Sequence, residues 1–483
     1  MQRNPVLILI SVFTFLTSCT YNKEEMPAPL LESNYPFSVE QILVAKCATA
    51  GCHNSQSKDG AGGLELTDWN KLFEGSRSGA VAIPFRSDFS TLCYYTNIDT
   101  GKGLVLLPTM PYNAPSLTSD EYNTLRSWIQ EGAPDKNGFV KFSDYQSKSK
   151  LYVSNRGCDV VTVLDPETGL AMRFVDVGNA ADIEGPCMVK VAPDKLHWYV
   201  IFNQGTTIQK FRCADNVKVG ELVLGSGFWT SLVISSDSKK GYISNADFNG
   251  SIVNVDLEQM VVNFTYQNNL RYPYGLCLNP DNSKLYATSK EGNFIYKLDL
   301  SNPWSPLVEE ISLETGVPVN TSISLNPYTI LFNADGSCYY VVCNKSAELR
   351  IMQTATDSLL KTFVTGSNPY EITYSINYPY LFVSCLGVPG GNKKSVINVF
   401  NYNSQTFVAD INAGYDSKGM VVDETSGKIF VANRNVSAGS PAAHHAPVCA
   451  GKNGFISAIS LSNLQLVNGY KAELSVDPYH ISK

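Results

Sequence analysis

The sequence predicts a mainly β fold, a seven-bladed β-propeller preceded by a small all-α domain, and three observations predict it. From Leu151 onward an apolar phrase returns seven times, at intervals of roughly 40 to 55 residues, the period of propeller blades. Each copy is followed by a second alternating segment, and turn signals precede most of them. Ahead of the repeats, residues 37–134 hold two helical segments with start and stop signals, joined by loops rich in glycine and proline.

At 483 residues the chain exceeds one ordinary core, so two or three domains are expected. Acidic residues outnumber basic ones, 44 to 37, for a net charge of -7. Nucleic acid is therefore excluded as a partner, because phosphate binding needs a concentrated basic surface.

The N-terminal elements come first. Arg3 precedes an apolar run from Pro5 to Leu16, and Leu16-Thr-Ser-Cys19 follows. Residues 1–18 read as a secretory signal, too short to span a membrane. Leu-Thr-Ser-Cys resembles a bacterial lipobox, which implies cleavage before Cys19 and lipidation of that cysteine. Lys23-Glu24-Glu25 resembles the acidic export tag of Gram-negative surface lipoproteins. Residues 19–36 are then a tether, and the expected product is an extracytoplasmic, outer-membrane lipoprotein held by lipid, with the tag pointing to surface exposure.

The small domain, residues 37–134, opens with a helix for which Ser38 is the expected cap and Gln41 its capping-box partner. It closes with Thr118-Ser-Asp-Glu121, a second capping box, ahead of Tyr122, Leu125, Trp128 and Ile129 at helical spacing. Gly132 and Pro134 stop that helix. The first helix delivers the chain to Cys47-Ala-Thr-Ala-Gly-Cys52-His53. Three chemistries are open: a haem site with a widened spacer, a disulfide beside an incidental histidine, or half of a metal site. Residues 54–110 add only Cys93 and no histidine, too few ligands for a zinc tetrahedron. A covalent haem needs two thiols, an adjacent histidine and a distal ligand, and Met110 stands between Pro108 and Pro111 to supply the last.

Cys52-His-Asn54, Gly62-Gly-Leu-Glu-Leu66, Trp69-Asn-Lys-Leu72, Gly75, Pro84, Ser90-Thr-Leu92, Met110-Pro111 and Trp128-Ile-Gln-Glu-Gly-Ala133 together resemble a monohaem cytochrome c domain of the type fused to other modules in bacterial secreted proteins. The resemblance implies covalent haem c on Cys47 and Cys52, with His53 and Met110 as the proximal and distal iron ligands. The four-residue spacer between the cysteines departs from the usual two.

Residues 135–147 read as a linker and 148–483 as the propeller. The seven copies are Leu151–Asn155, Trp198–Phe202, Gly241–Asn245, Leu285–Ser289, Tyr339–Cys343, Leu381–Cys385 and Ile429–Asn433. They resemble the YVTN family of seven-bladed propellers. Asp477-Pro-Tyr-His-Ile-Ser482 matches Asn368-Pro-Tyr-Glu-Ile-Thr373, the innermost strand of another blade. Residues 477–482 should therefore complete the first blade and leave no open ring edge.

In YVTN repeats a proline precedes the innermost strand, and the following residue lies at the funnel mouth. Carried onto this sequence, the position holds Cys187, Trp229, Tyr274, Tyr328, Tyr370, Lys418 and Tyr479, five of the seven aromatic. Such side chains either plug the tunnel or line a concavity for a small-molecule ligand or docked partner. The second reading resembles the ligand face of surface propeller lipoproteins that capture cobalamin.

An insertion at 435–449 carries His444 and His445, either a polar loop or a metal or pH-sensitive site. His197 and His480 read as structural. Of twelve cysteines, nine remain beyond Cys19, Cys47 and Cys52, so at least one is unpaired; Cys343 and Cys385 are expected as buried thiols. No catalytic residue emerges, and Asp165, Asp256 and Asp299 sit at strand ends where carboxylates make turn hydrogen bonds. The functional expectation is electron transfer through a His/Met haem, coupled to ligand or redox-partner binding by the propeller. The alternative is a surface lipoprotein that captures a nutrient, such as a corrinoid-like ligand, for an outer-membrane transporter, with the small domain as a docking module.

Overall fold

The computed structural model describes residues 32–143, 149–267, 269–302, 307–322, 324–387, 394–437, 439–443 and 448–483. Cys19, the signal segment, His444 and His445 lie outside the described residues. Among the described residues no helix is long and apolar enough to cross a membrane.

Seven four-stranded antiparallel sheets follow one another from Leu151 onward. The repeated phrase is the second strand of every blade, and period-two alternation explains its apolar character on both faces. Leu151 and Val153 face the seventh blade while Tyr152 faces the second. A separate core fills the seam between each pair of neighbours, as where Trp198 stacks on Phe211 at 4.0 Å and meets Tyr152. Outermost strands such as Lys218–Val223 alternate between exposed and half-buried residues, since one of their faces meets water.

The expected closure is present. Pro478–Ser482 pairs antiparallel with Leu151–Asn155, setting Val153 opposite Ile481 and Ser154 opposite His480. Thus the first blade is built from both ends of the propeller sequence. A disulfide from Cys158 to Cys449 joins the same blade to the insertion of the last one, across 291 residues. Cys343 and Cys385 are buried free thiols, as expected. Asp165, Asp256 and Asp299 accept backbone N–H bonds of 2.8–2.9 Å from residues two or three positions on.

Residues 32–143 form four α-helices, Phe37–Ile42, Trp69–Leu72, Thr91–Thr96 and Ser119–Gln130, with an isolated bridge between Ser76 and Gly79. The Thr118–Glu121 capping box is formed in both directions. The first helix differs from expectation: Pro36 is the residue before it, and Ser38 lies inside. Pro36 has φ -55°, and its carbonyl accepts from Val39 and Glu40 N–H, so the helix starts at Phe37, ahead of Ser38, without a side-chain cap.

This helical unit packs on the first blade. Phe89 stacks on Phe174 at 4.3 Å, and Arg86 bonds Asp176 at 2.7 Å while lying over Phe89. Ile83 is 1% exposed and completes the seam between the last and first blades. Phe142 touches the cores of both units.

A chain stopped before Pro478 leaves the edge of strand 151–155 unpaired. It should lose the cooperative melting transition of the propeller and associate with rising concentration in light scattering. An unchanged melting temperature would contradict the closure.

Candidate functional site

The funnel residues are placed by a device repeated in every blade. The inner-strand register slips at Pro186/Met188, Trp229/Ser231, Pro273/Leu276, Pro327/Thr329, Pro369/Ile372 and Ser417/Met420, next to or at the funnel residue each time. A bulge of this kind frees one side chain from the pleat and re-aims it. A left-handed residue leads in at six of the seven blades, with φ between 46° and 71°: Gly185, Tyr272, Asn326, Asn368, Asp416 and Asp477. Asn, Asp and Gly tolerate that conformation best. The neighbouring blade then clamps the bulge. Ser244, Thr288 and Ser384 hydroxyls donate to the carbonyls of Tyr274, Tyr328 and Lys418 at 2.7–3.0 Å.

The seven positions do not form one even ring. Tyr274 and Tyr370 hydroxyls meet at 3.0 Å, and Tyr370 and Tyr479 hydroxyls at 3.2 Å. Tyr328 packs between Tyr274 and Tyr370, with ring centroids 4.5 and 4.9 Å away. Lys418 lies over the Tyr479 ring at 2.8 Å and the Tyr370 ring at 4.0 Å. Trp229 turns away, 2% exposed and donating its indole N–H to the Gly225 carbonyl, while Cys187 donates its thiol to the Trp229 carbonyl at 3.3 Å in a core that also holds Tyr479. The half-exposed face is therefore Tyr274, Tyr328 and Tyr370, with Lys418 and Tyr479 buried behind it.

Cations surround this cluster. Arg156, Lys290 and Arg434 each follow the last residue of a repeated phrase, which brings them to the same end of their blades. Arg156 and Arg434 lie 4.4 and 5.1 Å from the Tyr479 centroid, and Lys290 lies 5.3 and 5.5 Å from those of Tyr274 and Tyr328. Asp477 binds both arginines, at 2.8 and 2.5 Å. Burial disfavours its charge, but the arginines outweigh that and hold its carboxyl below the usual range. The sequence signal for these cations was the residue after the phrase. It reads Arg, Asn, Ala, Lys, Asn, Leu and Arg around the ring, with no period to expose it.

Glu371 and His480, next to Tyr370 and Tyr479, are also part of the interior. Burial pushes the Glu371 carboxyl up to about 7, against the pull of Lys418 and Lys190. Burial, with Lys190 and Lys418 nearby, pushes His480 down to about 3, and its Nδ1 has no hydrogen-bond partner. His480 is thus a buried neutral imidazole beside the tunnel residues. Burial and Arg434 likewise hold the Lys418 ammonium well below its ordinary value.

In the helical unit, Cys47 and Cys52 are both free thiols. Cys47 is buried, and desolvation, with Cys52 adding to it, raises its thiol to about 11. His53 follows with its N–H bonded to the Cys47 carbonyl at 3.1 Å. Its ring Nδ1 lies 3.4 Å from the Leu64 carbonyl oxygen, and burial lowers its pKa. The ring is also within hydrogen-bonding reach of the Ala61 backbone, so two backbone groups position it. Met110 is half-buried, its N–H bonded to the Tyr95 carbonyl at 2.7 Å, in a loop with cis bonds before Pro108 and Pro111. Among the described residues no three His, Cys, Asp or Glu side chains converge as the ligands of one metal ion would.

Glu371 and His480 should bend the stability profile in opposite senses. Glu371 is raised above its ordinary 4.5, so its contribution is present below that pH and lost as pH rises towards 7. His480 is lowered from 6.5, so its contribution is present above 6.5 and lost as pH falls towards 3. Melting curves against pH should show Glu371→Gln gaining on the parent from 4.5 to 7, and His480→Gln gaining below 6.5, each by an amount on the order of 1–3 kcal/mol at the limit. Parallel profiles would contradict the burial of both groups.

No family profile and no curated protein matches the chain. Solved structures do. Hydrazine synthase of Kuenenia stuttgartiensis is similar at 14% identity and a TM-score of 0.50, over 63% of this chain and 91% of that one. A functionally unknown protein of Desulfotomaculum acetoxidans gives 15% and 0.51, over 68% and 100%. A candidate 6-phosphogluconolactonase of Bacteroides fragilis gives 12% and 0.53, over 70% and 98%. At these identities the likeness shows the fold alone: this chain carries a seven-bladed β-propeller.

Proposed function

We propose that the chain is an extracytoplasmic, lipid-anchored electron-transfer protein whose helical unit carries haem c and whose propeller binds a ligand or redox partner. Cys47 and Cys52 would hold the haem through thioethers, with His53 and Met110 on the iron. The observation that carries this reading is His53, with its Nδ1 at 3.4 Å from the Leu64 carbonyl and two unpaired thiols just before it in the chain. A carbonyl beside the ring of an iron-ligating histidine would orient that ring. When bound, haem c supplies single-electron transfer, and His/Met ligation raises its reduction potential.

The chain's own residues would do the rest. The Leu64 carbonyl would orient the His53 ring, and Tyr95 holds the Met110 backbone. Arg86, Phe89 and Ile83 hold the helical unit against the first blade, which fixes an electron carrier there to the propeller. A second reading is capture of a corrinoid-like nutrient for an outer-membrane transporter, with the helical unit as a docking module. The half-exposed tyrosine face at the tunnel mouth favours it, since flat ligands use such surfaces.

Expression with a haem-attachment machinery should give protein that stains for covalent haem and shows a sulfur-to-iron band in the oxidised spectrum. Cys47→Ser and Cys52→Ser should each reduce attachment, and Met110→Ala should abolish the band and lower the midpoint potential. Protein free of covalent haem under those conditions would sink the electron-transfer reading.

A further inference from the structure

Among the described residues, the donors at the tunnel mouth outnumber the hydrogen bonds they make. The hydroxyls of Tyr274, Tyr370 and Tyr479 share two mutual bonds. Each hydroxyl brings one proton, so one remains for an outside acceptor. The Lys418 side chain, in a residue only 5% exposed, makes no hydrogen bond or ion pair among the described residues; its neighbours are the faces of Tyr370 and Tyr479. A buried ammonium without an acceptor is costly, and an acceptor-only ligand removes that cost.

Charge points the same way. The groups facing Lys418 are Arg156, Arg434, Cys187 and Glu371, with Lys190 beside Glu371 and His480. Asp477 is committed to both arginines, and Lys290, at the rim of Tyr274 and Tyr328, has no anionic partner among the described residues. Arg156, Arg434, Lys190 and Lys290 thus gather with the Lys418 amine around two carboxylates, Asp477 and Glu371. This local excess occurs in a chain of net charge -7.

The apolar part of the site is a cluster of inclined rings, Tyr328 tilted 45° to Tyr274 and 69° to Tyr370. Tyr274, Tyr328 and Tyr370 are half-exposed, and Phe228, 40% exposed, stands within 5.9 Å of the Lys290 ammonium. We infer that this mouth is a binding site for an organic anion with a carboxylate head and an aromatic body, the head on Lys418 and the surplus tyrosine hydroxyl, the body over the tyrosine faces with Lys290 at its edge. The inference rests on reading the tunnel mouth as a binding face, and it is independent of haem attachment.

Isothermal titration of the full chain with benzoate, indole-3-carboxylate, benzamide and inorganic phosphate tests it. The two aromatic carboxylates should bind saturably and weaken with added salt, while benzamide and phosphate should not bind. Lys418→Met should cost roughly tenfold or more in affinity, the loss of a charge-assisted bond. Its melting temperature should be no lower than the parent's, because a buried unpaired charge is removed. Lys290→Gln, at the half-exposed rim, should cost several-fold and serves if Lys418→Met does not fold. Benzamide binding as tightly as benzoate would overturn the anion class and leave the binding face. Phosphate binding as tightly as benzoate would overturn the aromatic body. Binding by none of the four would overturn both the inference and the binding-face reading. Full affinity in both lysine variants would place the anion elsewhere and overturn the site.

Discussion

Everything in the propeller depends on one strand pairing, residues 478–482 against 151–155. No blade has a core of its own; each apolar cluster belongs to a seam between two blades. Stacked repeats of this kind are stable only as a set, and in a closed ring the set includes the seam between the last blade and the first. The same pairing delivers Asp477 to Arg156 and Arg434, and Tyr479 and His480 to the tunnel. Closure and the chemistry of the mouth are therefore one structural event. The Cys158–Cys449 bond and the buried Ile83 reinforce the same seam from two further directions.

The tunnel mouth also shows how a repeat becomes asymmetric. Bulges at equivalent positions offer each blade the same opening, and the residue there decides what is made of it. Four tyrosines meet near the axis, whereas Trp229 turns back to Gly225 and fills a seam. The result is a lopsided site, polar and cationic where Tyr479, Lys418 and the arginines gather, apolar where Cys187 and Trp229 close the wall.

Much of the fold was legible because its signal is periodic. A strand buried on both faces is mostly apolar, its few buried polar residues at the inner end, so the phrase stands out seven times, and the Asp477–Ser482 match follows from the same repetition. The last helix of the small unit was legible from a local device, the Thr118–Glu121 box. The first was read two residues late because Ser38 fits a cap on composition, while Pro36 sets the backbone ahead of it. The site was legible only in part. The proline before the inner strand marks the tunnel position, but not whether its side chain faces the axis or the seam, which depends on neighbouring volume. Arg156, Lys290 and Arg434 gave no warning, since each matters only through a ring-wide geometry. His480 read as a structural residue and is indeed strand-buried, but the missing Nδ1 partner is a tertiary fact.

The split first blade has a consequence for biosynthesis. Strand 151–155 is made early and its partner, 478–482, more than three hundred residues later. Until that partner arrives, the inner edge of the blade has open N–H and C=O groups, the kind of edge that pairs with stray chains. The helical unit precedes the blade in the chain, and its Phe89, Arg86 and Ile83 already have partners at Phe174, Asp176 and the strands around Leu151. Those contacts are therefore available to the first blade before the last strand of the ring is made, although Phe174 and Asp176 lie on its outermost strand and the open edge on its innermost.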